Sequence, residues 1–542
     1  MTLAEADVTE QGAGQPVSID GESLDIAGVR RVAELGAPCE LGPDVKDRTT
    51  KSRRIFEDIA RQDIPIYGVT TGFGEMIYML VGTQKEVELQ TNLVRSHSAG
   101  VGPLFAEDEA RAILVARLNA LAKGHSAVRP QVVERLALYL NKGITPAIPE
   151  IGSLGASGDL APLSHIASTV IGEGYFLRDG GQVKAAEVLR EHGIQPLELR
   201  FKEGLALING TSAMTGLGAL VVGRAMAQVR QAEIVSALVI ETLQGSTSPF
   251  LPEGHDVARP HRGQIDTAYN MRVLMRDSEL TVDHARLRRL VQDDRSDDQV
   301  VQRSPHYLQK AYSLRAVPQV LGAVRDTLYR ATETIEIELN SANDNPLFFE
   351  GQEIFHGANF HGQPVAFSMD FVTISLTQLG VLSERRTNRL LNRHLSYGLP
   401  EFLVAGDPGL NSGFAGAQYP ATALVAENRT IAPASIQSVP SNGDNQDIVS
   451  MGLISARNAR RVLGNNNTIL ALEYLAAAQA VDISGRYDRL SPAAKAAYES
   501  VRALVPTLDA DRYMSDDIQT MAAALSRGEP LAAVTAAGAE LR

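Results

Sequence analysis

The most informative stretch of the chain is Gly152-Ser153-Leu154-Gly155-Ala156-Ser157-Gly158-Asp159-Leu160-Ala161-Pro162-Leu163. Proline-containing turns at Pro146 and Pro149 precede it, and an apolar helical run follows from Leu160 to about Ile171. At its centre are three small residues, Ala156-Ser157-Gly158. A lone tripeptide of this kind is usually a turn that caps a helix. Its meaning therefore depends on its own chemistry and on the longer string around it.

The Ala156-Ser157-Gly158 tripeptide can close on itself. Because Gly158 has no side chain, its amide nitrogen can reach the carbonyl carbon of Ala156 and form a five-membered ring through Ser157. Loss of two waters, one of them carrying the Ser157 hydroxyl, leaves a ring with an exocyclic methylidene. The product, 4-methylidene-imidazol-5-one, is an electrophile that ordinary side chains do not supply. The alternative of a hydrolase elbow, G-x-S-x-G, fails because Asp159 stands at the last glycine position.

The composition is that of a soluble globular protein without an obvious nucleic-acid or membrane partner. The 542 residues carry a net charge of −13, whereas nucleic-acid binding usually requires a basic surface. The single cysteine, Cys39, excludes an internal disulfide framework and fits a reducing compartment. The run from Leu205 to Gly223 is long enough for a membrane span, but its polar residues and glycines favour a buried helix. The first residues lack the pattern of a signal peptide, which predicts a cytoplasmic protein.

The hydrophobic periodicity predicts an all-α fold, a long-helix bundle with a smaller mixed N-terminal part. Acidic first turns, Pro130 and terminal glycines delimit helices at Glu107 to Ala122 and at Pro130 to Asn141. Apolar residues at four-three spacing continue as long stripes after Leu205, and such stripes must pack against one another. A hairpin is expected around Asp179-Gly180-Gly181, and a mobile loop at residues 292–299. We expect a disordered lead-in at residues 1–17, an N-terminal domain at 18–203 and a helical bundle at 204–542.

Five sequence blocks, in their order and spacing, resemble the aromatic amino acid ammonia-lyases and aminomutases. Within this family the chain is most similar to the tyrosine 2,3-aminomutases of enediyne antibiotic biosynthesis. The resemblance implies a homotetramer in which each active site draws residues from three subunits, and a prosthetic group formed from Ala156, Ser157 and Gly158. The blocks are Tyr67 to Gly74, Asn92 to His97, Gly152 to His165, Asn340 to Pro346 and Asn359 to Gly362.

The resemblance assigns the proton chemistry and the binding of the substrate carboxylate. Tyr67 matches the family's base and Tyr312 a proton or hydrogen-bond partner near the ring. Since a free phenol has a pKa of about 10, we expect the surroundings of Tyr67 to lower it. Arg315 matches the carboxylate clamp, Asn209 a donor beside it, and Tyr307 a lid residue. An arginine fork suits a carboxylate because it binds both oxygens.

The resemblance also assigns the pocket for the substrate ring. His97 matches the residue at the far end of the side chain, where a buried phenol hydroxyl needs a hydrogen-bond partner. Histidine-specific relatives also carry a histidine there, but they have a glutamate where this chain has Gln446, which disfavours an imidazole substrate. The other matched pocket positions are Gly74, Phe360, Tyr419 and Asn442. No metal site is predicted, because the His356 and His361 pair lacks zinc-binding spacing.

These assignments imply an enzyme that converts L-tyrosine into β-tyrosine through 4-hydroxycinnamate, with no diffusible cofactor. The nearest alternative is a tyrosine ammonia-lyase, which releases the cinnamate; Glu75 is a candidate for controlling its retention. An aminomutase of a related ring such as an aza-tyrosine is a second alternative. A non-catalytic helical scaffold is a third, and it would form no methylidene group.

Overall fold

The computed structural model describes residues 14–62, 64–295, 300–302, 308–351 and 354–542. Most of these residues are helical, as predicted. The helices are α1 (Ile26–Glu34), α2 (Val45–Ala60), α3 (Glu86–His97), α4 (Glu107–Ala122), α5 (Pro130–Asn141), α6 (Leu160–Val170), α7 (Ala185–Glu191), α8 (Glu203–Ile208), α9 (Ser212–Thr242), α10 (Arg262–Leu274), α11 (His284–Asp293), α12 (Tyr312–Arg315), α13 (Val317–Leu339), α14 (Gln363–Leu391), α15 (Gln418–Arg429), α16 (Gly452–Ser484), α17 (Pro492–Arg502), α18 (Ser515–Ser526) and α19 (Glu529–Ala536).

Residue contacts divide the chain into two compact units that are discontinuous in sequence. The first unit contains residues up to Gly223, Arg330–Phe371 and Pro433–Ala459. The second contains Arg224–Tyr329, Val372–Ala432 and Arg460–Arg542. The boundary predicted between residues 203 and 204 lies inside the first unit. The predicted division into two consecutive domains therefore differs from the division by residue contacts, and it stays a prediction. The predicted lead-in lies largely outside the described residues, and its last residue, Val17, begins a strand.

The strands of the first unit form short pairs beside the helices. The parallel pair is β1 (Val17–Ile19) with β2 (Cys39–Leu41). The antiparallel pairs are β3 (Val101–Leu104) with β4 (Pro149–Ile151) and β5 (Tyr175–Arg178) with β6 (Gly181–Lys184). Asp179 and Gly180 connect β5 to β6 with positive φ angles of 52° and 74°, as a two-residue hairpin turn requires. The predicted hairpin is thereby confirmed.

Local capping explains why α4 and α5 begin and end where the sequence predicts. The side chain of Glu109 accepts a hydrogen bond from the Ala106 backbone N–H at 3.1 Å, which satisfies a donor that the first turn leaves unpaired. α5 begins with Pro130, whose fixed φ suits the first helical position. Gly124 and Gly143 follow the two helices with positive φ angles.

The long apolar stripes are buried. The stripe of α14 includes Val365, Met369 and Leu376, all fully buried, and the stripe of α13 includes Leu321 and Leu328, also fully buried. Among the described helices, α14 alone has the length and apolar composition of a membrane span. Buried core helices of soluble proteins meet the same criterion, so the length and composition of α14 are weak evidence for a membrane span.

The apolar run from Leu205 to Gly223 forms two buried helices in place of one. α8 ends at Ile208 and α9 begins at Ser212, and the connection between them carries Asn209, which is 1% exposed. The polar residues that argued against a membrane span therefore sit at a break between helices. In the charged segment 292–299, α11 continues to Asp293, and residues 296–299 lie outside the described residues.

Candidate active site

The small-residue motif forms a tight turn between β4 and α6. Gly158 has a φ of +72°, and a Cβ built on it would lie 2.1 Å from the Gly210 carbonyl oxygen. The backbone N–H of Asp159 donates to that oxygen at 2.7 Å, and the Gly210 N–H donates to the Ser157 carbonyl oxygen at 3.2 Å. Only glycine fits position 158, because the connection between α8 and α9 packs directly against it.

The geometry of this turn fits the ring predicted from Ala156, Ser157 and Gly158. The backbone folds back within four residues, so that Gly155 and Ala156 both pair with Gly158. Gly155 has a φ of +74°, and its missing side chain leaves room for Ser450. The close approach of residues 156 and 158 is what formation of a bond between the Gly158 nitrogen and the Ala156 carbonyl carbon requires.

Asp159 is a buried acid that the sequence interpretation missed. Its position before α6 is typical of a residue that caps its own helix, yet its side chain bonds elsewhere. Ser153 Oγ donates to one carboxylate oxygen at 2.8 Å, and the Met214 backbone N–H, in the first turn of α9, donates to the other at 2.8 Å. Burial raises the pKa of Asp159 to about 6, although the hydrogen bonds from Met214 and Ser153 oppose the rise. The carboxyl thus connects the motif to α9.

One cavity of about 940 Å³, formed wholly by residues of the first unit, brings most of the predicted site residues together. We call it the Tyr67 cavity. It is open to solvent on one side and has a largely apolar lining. Gly158 itself lies beside the lining, against Gly210. The predicted residues that line the Tyr67 cavity are Tyr67, Gly74, His97, Ala156, Ser157, Asn209, Phe360, Asn442 and Gln446.

The hydroxyl of Tyr67 is held by the backbone of the same glycine-rich segment. The Gly74 N–H donates to the Tyr67 hydroxyl oxygen at 3.0 Å. Burial raises the pKa of Tyr67, and the Gly74 hydrogen bond only partly opposes this, since desolvation penalises the phenolate more than one neutral donor stabilises it. The expectation that the surroundings lower this pKa is therefore wrong for the isolated chain.

Gly74 packs directly against the side chain of Asn442 in the Tyr67 cavity. Gly74 has a φ of +56°, and a Cβ built on it would lie 1.8 Å from Asn442 Nδ2. Any side chain at position 74 would displace the amide of Asn442. The close approach brings the segment after Pro433 against the turn that holds Tyr67. The sequence places the two residues far apart, so only the fold reveals the pairing.

Asn209 is fixed from one side and keeps one polar atom for a ligand. Its Nδ2 donates to the Asn345 carbonyl oxygen at 2.9 Å. Its Oδ1 is buried and has no hydrogen-bond partner within the described part of the chain. A buried ion pair, Lys202 Nζ to Asp344 Oδ2 at 2.6 Å, ties the start of α8 to the residue before Asn345. No sequence pattern predicts this ion pair, because lysine and aspartate are usually exposed.

His97 lies at the end of α3 with its ring in the Tyr67 cavity. Its Nδ1 is 2.9 Å from the Leu93 carbonyl oxygen and 3.1 Å from Ser96 Oγ. Gln446, elsewhere in the lining, accepts a hydrogen bond from Ser441 Oγ at 2.9 Å through its Oε1. The side-chain N–H groups of Gln446 therefore remain available to donate to a ligand.

The remaining predicted site residues lie elsewhere in the described chain. Tyr312 and Arg315 line a second cavity of about 480 Å³, formed by residues of the second unit, which we call the Arg315 cavity. Arg315 Nε donates to the Lys310 carbonyl oxygen at 3.0 Å, and its guanidinium lies 4.7 Å from the centre of the Tyr312 ring. Tyr419, in α15, is 72% exposed. Tyr307 lies outside the described residues.

Within one chain, the predicted site residues therefore do not all line the same cavity. Tyr312, Arg315 and Tyr419 belong to the second unit, and none of them is among the residues that line the Tyr67 cavity. Within the described ranges, no group of three or more His, Cys, Asp or Glu side chains could hold a metal ion.

The comparison with protein families gives a match over most of the chain. The model of the aromatic amino acid lyases matches residues 24–503. This chain belongs to the aromatic amino acid lyase family. The prediction of the family from its sequence blocks is confirmed.

Two curated members of the aromatic amino acid lyase family cover almost the whole chain. A MIO-dependent tyrosine 2,3-aminomutase from Streptomyces globisporus is 77% identical over 96% of this chain and 96% of its own length. A tyrosine ammonia-lyase from Cupriavidus metallidurans is 57% identical over 97% of this chain and 99% of its own length.

Solved structures of family members confirm the predicted helical fold. The crystal structure of the tyrosine aminomutase from Streptomyces globisporus has a TM-score of 0.95 and 76% identity, and the match covers 96% of this chain and 98% of that one. The phenylalanine aminomutase of Pantoea agglomerans has a TM-score of 0.91 and 39% identity, covering 95% of this chain and 99% of that one.

Proposed function

We propose that this enzyme is a tyrosine 2,3-aminomutase that converts L-tyrosine into β-tyrosine through 4-hydroxycinnamate, with a self-formed 4-methylidene-imidazol-5-one group. The observation that carries the proposal is that Tyr67, Ser157 and His97 line one cavity. A base, the source of an electrophile and a partner for the ring are then available to one substrate. The identity of 77% with the Streptomyces aminomutase supports the choice of reaction and of prosthetic group.

The residues of the Tyr67 cavity have separate roles in the proposed reaction. Formed from Ala156, Ser157 and Gly158, the prosthetic group would supply an electrophilic carbon for the substrate's amino group. Tyr67 is placed to remove the β-proton, with Gly74 N–H holding its oxygen in position at 3.0 Å. Asn209 Oδ1, buried and without a partner in the described chain, can accept from the substrate's N–H groups, whereas the resemblance implies a donor role for this side chain. Phe360 and Asn442 shape the walls of the cavity.

We infer that the substrate carboxylate finds its cation in another copy of the chain. Among the described residues that line the Tyr67 cavity there is no lysine and no arginine. Arg315, with Tyr312, lines the Arg315 cavity of the second unit. A homotetramer in which three subunits contribute to each active site would supply Arg315, Tyr312, Tyr307 and Tyr419 to the Tyr67 cavity of a neighbouring subunit. Support comes from the missing cation and from the exposure of Tyr312 and Tyr419.

The second candidate is a tyrosine ammonia-lyase, favoured by the relative from Cupriavidus metallidurans at 57% identity. Both activities begin with the same removal of the β-proton and the amine. They differ in whether 4-hydroxycinnamate leaves before ammonia is returned. Glu75, next to Gly74 in the turn beside the Tyr67 cavity, stays a candidate for influencing that retention. An aryl ring related to tyrosine, such as an aza-tyrosine, would use the same pocket.

The two candidates are separated by the products formed from L-tyrosine. We expect β-tyrosine to form early and in clear excess over free 4-hydroxycinnamate in the first turnovers, measured by chiral chromatography. Mostly free cinnamate and ammonia, with little β-amino acid, would establish the ammonia-lyase instead. The same chromatography gives the handedness of the β-tyrosine.

The cellular setting is part of the proposal. The resemblance to aminomutases of enediyne antibiotic biosynthesis supports a role in natural-product biosynthesis. Cys39 is a lone, buried thiol, which fits a protein of the reducing cytoplasm. Gel filtration of the purified enzyme should give the mass of four chains, and a monomer that turns tyrosine over would contradict the shared active site.

A further inference from the structure

The imidazole of His97 is fixed by its own helix. His97 is the last residue of α3, and its Nδ1 lies 2.9 Å from the carbonyl oxygen of Leu93, one turn earlier. Ser96 Oγ lies 3.1 Å from the same nitrogen. The Ser96 hydroxyl also donates to the Leu93 carbonyl oxygen at 3.0 Å. The Leu93 carbonyl oxygen and the Ser96 hydroxyl thus both lie beside Nδ1 of the ring.

The chemistry of these partners determines which ring nitrogen carries the hydrogen. A backbone carbonyl oxygen can only accept, so a ring nitrogen 2.9 Å from it must be a donor. With the hydrogen on Nδ1, Ser96 Oγ can accept from this nitrogen while its own hydrogen goes to the Leu93 carbonyl oxygen. A neutral imidazole has one N–H. With that hydrogen on Nδ1, Nε2 has a lone pair and no hydrogen.

We propose that Leu93 and Ser96 are positioning residues that make Nε2 of His97 an acceptor, so that the cavity selects aromatic amino acids with a hydrogen-bond donor in the para position. The inference rests on the proposed function and deepens it, since it specifies the polarity of the para group. A phenol hydroxyl satisfies His97 by donating to Nε2. An aromatic amine would also donate, whereas fluorine, close in size to a hydroxyl, would not.

The opposite tautomer would give a different order of ligands. With the hydrogen on Nε2, His97 would donate, and a phenol oxygen could still accept. An aromatic amine would then be a poor ligand, because its nitrogen lone pair is delocalised into the ring and its hydrogens would face the hydrogen of Nε2. The amine therefore separates the two tautomers, which the phenol alone does not.

Inhibition by para-substituted cinnamates tests the proposal without requiring them to react. We expect 4-hydroxycinnamate and 4-aminocinnamate to inhibit turnover of L-tyrosine at lower concentrations than 4-fluorocinnamate, by about tenfold, the usual effect of one hydrogen bond. Equal inhibition constants for the amino and fluoro compounds would overturn the proposal. Since the test uses an enzyme that turns tyrosine over, failure of the proposed function would show separately, as no turnover of tyrosine.

A matched pair of variants tests the role of Ser96. Ser96→Ala removes the second acceptor for Nδ1. Ser98→Ala removes a hydroxyl at the same helix end that donates to the Val94 carbonyl oxygen at 2.8 Å and lies 3.3 Å from the Ser164 carbonyl oxygen, with no described hydrogen bond to the His97 ring. We expect Ser96→Ala to reduce the preference for 4-hydroxy- over 4-fluorocinnamate by about threefold, and Ser98→Ala to leave it unchanged. An equal change in both inhibition constants would show that Ser96 only stabilises the helix.

Nitrogen-15 spectra of histidine-labelled enzyme give a direct measurement of the tautomer. His97→Gln identifies the His97 signals by their loss. We expect a hydrogen-bearing Nδ1 and a bare Nε2. A bare Nδ1 would contradict the assignment regardless of any kinetic result.

Discussion

The two cavities of this enzyme differ in charge and in chemical content. The Tyr67 cavity contains the Ala156-Ser157 motif and a tyrosine, and the described residues lining it include no lysine or arginine. The Arg315 cavity contains Lys310 and Arg315, and no aspartate or glutamate is among its described lining residues. An amino acid substrate needs a partner for its amine and another for its carboxylate. Each cavity offers one of the two, which is the division of parts that the proposed shared active site requires.

The largest effect is expected from removing the source of the electrophile. Ser157→Ala cannot form the methylidene, so the intact chain should be heavier than the wild-type enzyme by two waters, after correction for the substitution. We expect kcat to fall by at least about a thousandfold, because the covalent route is lost. Mass spectrometry and product analysis measure the two effects.

Ser164→Ala provides the control for this variant. Ser164 Oγ donates only to the Ala161 carbonyl oxygen at 2.7 Å, within α6, so the variant should keep both the dehydrated mass and the activity. Turnover of tyrosine by an undehydrated Ser157→Ala enzyme would contradict the role of the Tyr67 cavity.

Removal of the proposed base should have the next largest effect. Tyr67→Phe keeps the edge-to-face contact with Phe73, at 6.3 Å between ring centres, but loses the hydroxyl. We expect kcat to fall about 10²- to 10⁴-fold, the usual range for general acid–base catalysis, with KM nearly unchanged. Tyr78→Phe, an exposed tyrosine of the same segment, should be neutral.

The pH profile of the wild-type enzyme gives a second test of Tyr67 as the base. Because burial raises the pKa of Tyr67, the ionised base is the minor form at neutral pH. The value of kcat/KM should therefore rise with pH above neutrality, and this rise should be missing in the residual activity of Tyr67→Phe. A flat wild-type profile above pH 7 would argue against Tyr67 as the base.

An intermediate effect is expected in the Arg315 cavity. Arg315→Lys keeps the charge but loses the fork that binds both carboxylate oxygens. We expect KM for L-tyrosine to rise about 10- to 100-fold, as for the loss of a charge-assisted hydrogen bond. Steady-state kinetics measure the change, and an unaltered KM would separate Arg315 from the substrate.

Co-expression of two inactive chains tests whether the cavities complete each other across subunits. Chains carrying Ser157→Ala and chains carrying Arg315→Ala should each be inactive alone. In mixed assemblies, some sites would combine the intact Ala156-Ser157-Gly158 motif of one chain with the intact Arg315 of another. This follows if each subunit of a symmetric oligomer contributes residues to a neighbour's active site. Activity clearly above that of either variant is expected, and no recovery in proven mixed assemblies would contradict the shared site.

The smallest effect concerns stability in the Arg315 cavity. Burial, with repulsion from Arg389 and Arg486, lowers the pKa of Lys310 from 10.5 to about 8. Between these values the unfolded chain holds more protons than the folded one, so stability due to this group rises as pH increases from 8 toward 10.5. Lys310→Met lacks that rise. The free energy of unfolding of wild type minus that of the variant should grow by about 1–2 kcal/mol from pH 7 to pH 10, after discounting for solvent screening.

Denaturant unfolding at the two pH values provides the measurement. A difference that stays constant with pH would show that Lys310 keeps an ordinary pKa in the folded enzyme. We also expect the Lys310→Met variant to lose some free energy of unfolding at both pH values. The reason is that it lacks the hydrogen bond from Lys310 Nζ to the Leu243 carbonyl oxygen, which measures 2.8 Å.

Elements with local signals could be predicted closely. The bounds of α4 and α5 agree with the prediction because caps and terminal glycines act within one turn. The hairpin between β5 and β6 follows from its two turn residues. The Ala156-Ser157-Gly158 motif was recognisable because its chemistry depends on three adjacent residues.

Features that depend on distant parts of the chain could not be predicted. The buried Asp159 caps α9 in place of its own helix, and the Lys202–Asp344 pair looks like two surface charges in the sequence. The pKa of Tyr67 was expected to fall, yet burial raises it. Each of these depends on desolvation, which residue types and spacing do not report.

The sequence by itself determined the family, the helical fold and the residues able to form the prosthetic group, because each rests on short-range pattern or chemistry. The tertiary structure decided which of those residues share a cavity and that Arg315 lines a different one. The physical reason is that burial, hydrogen-bond direction and charge pairing arise only when segments far apart in sequence come within a few ångströms of one another.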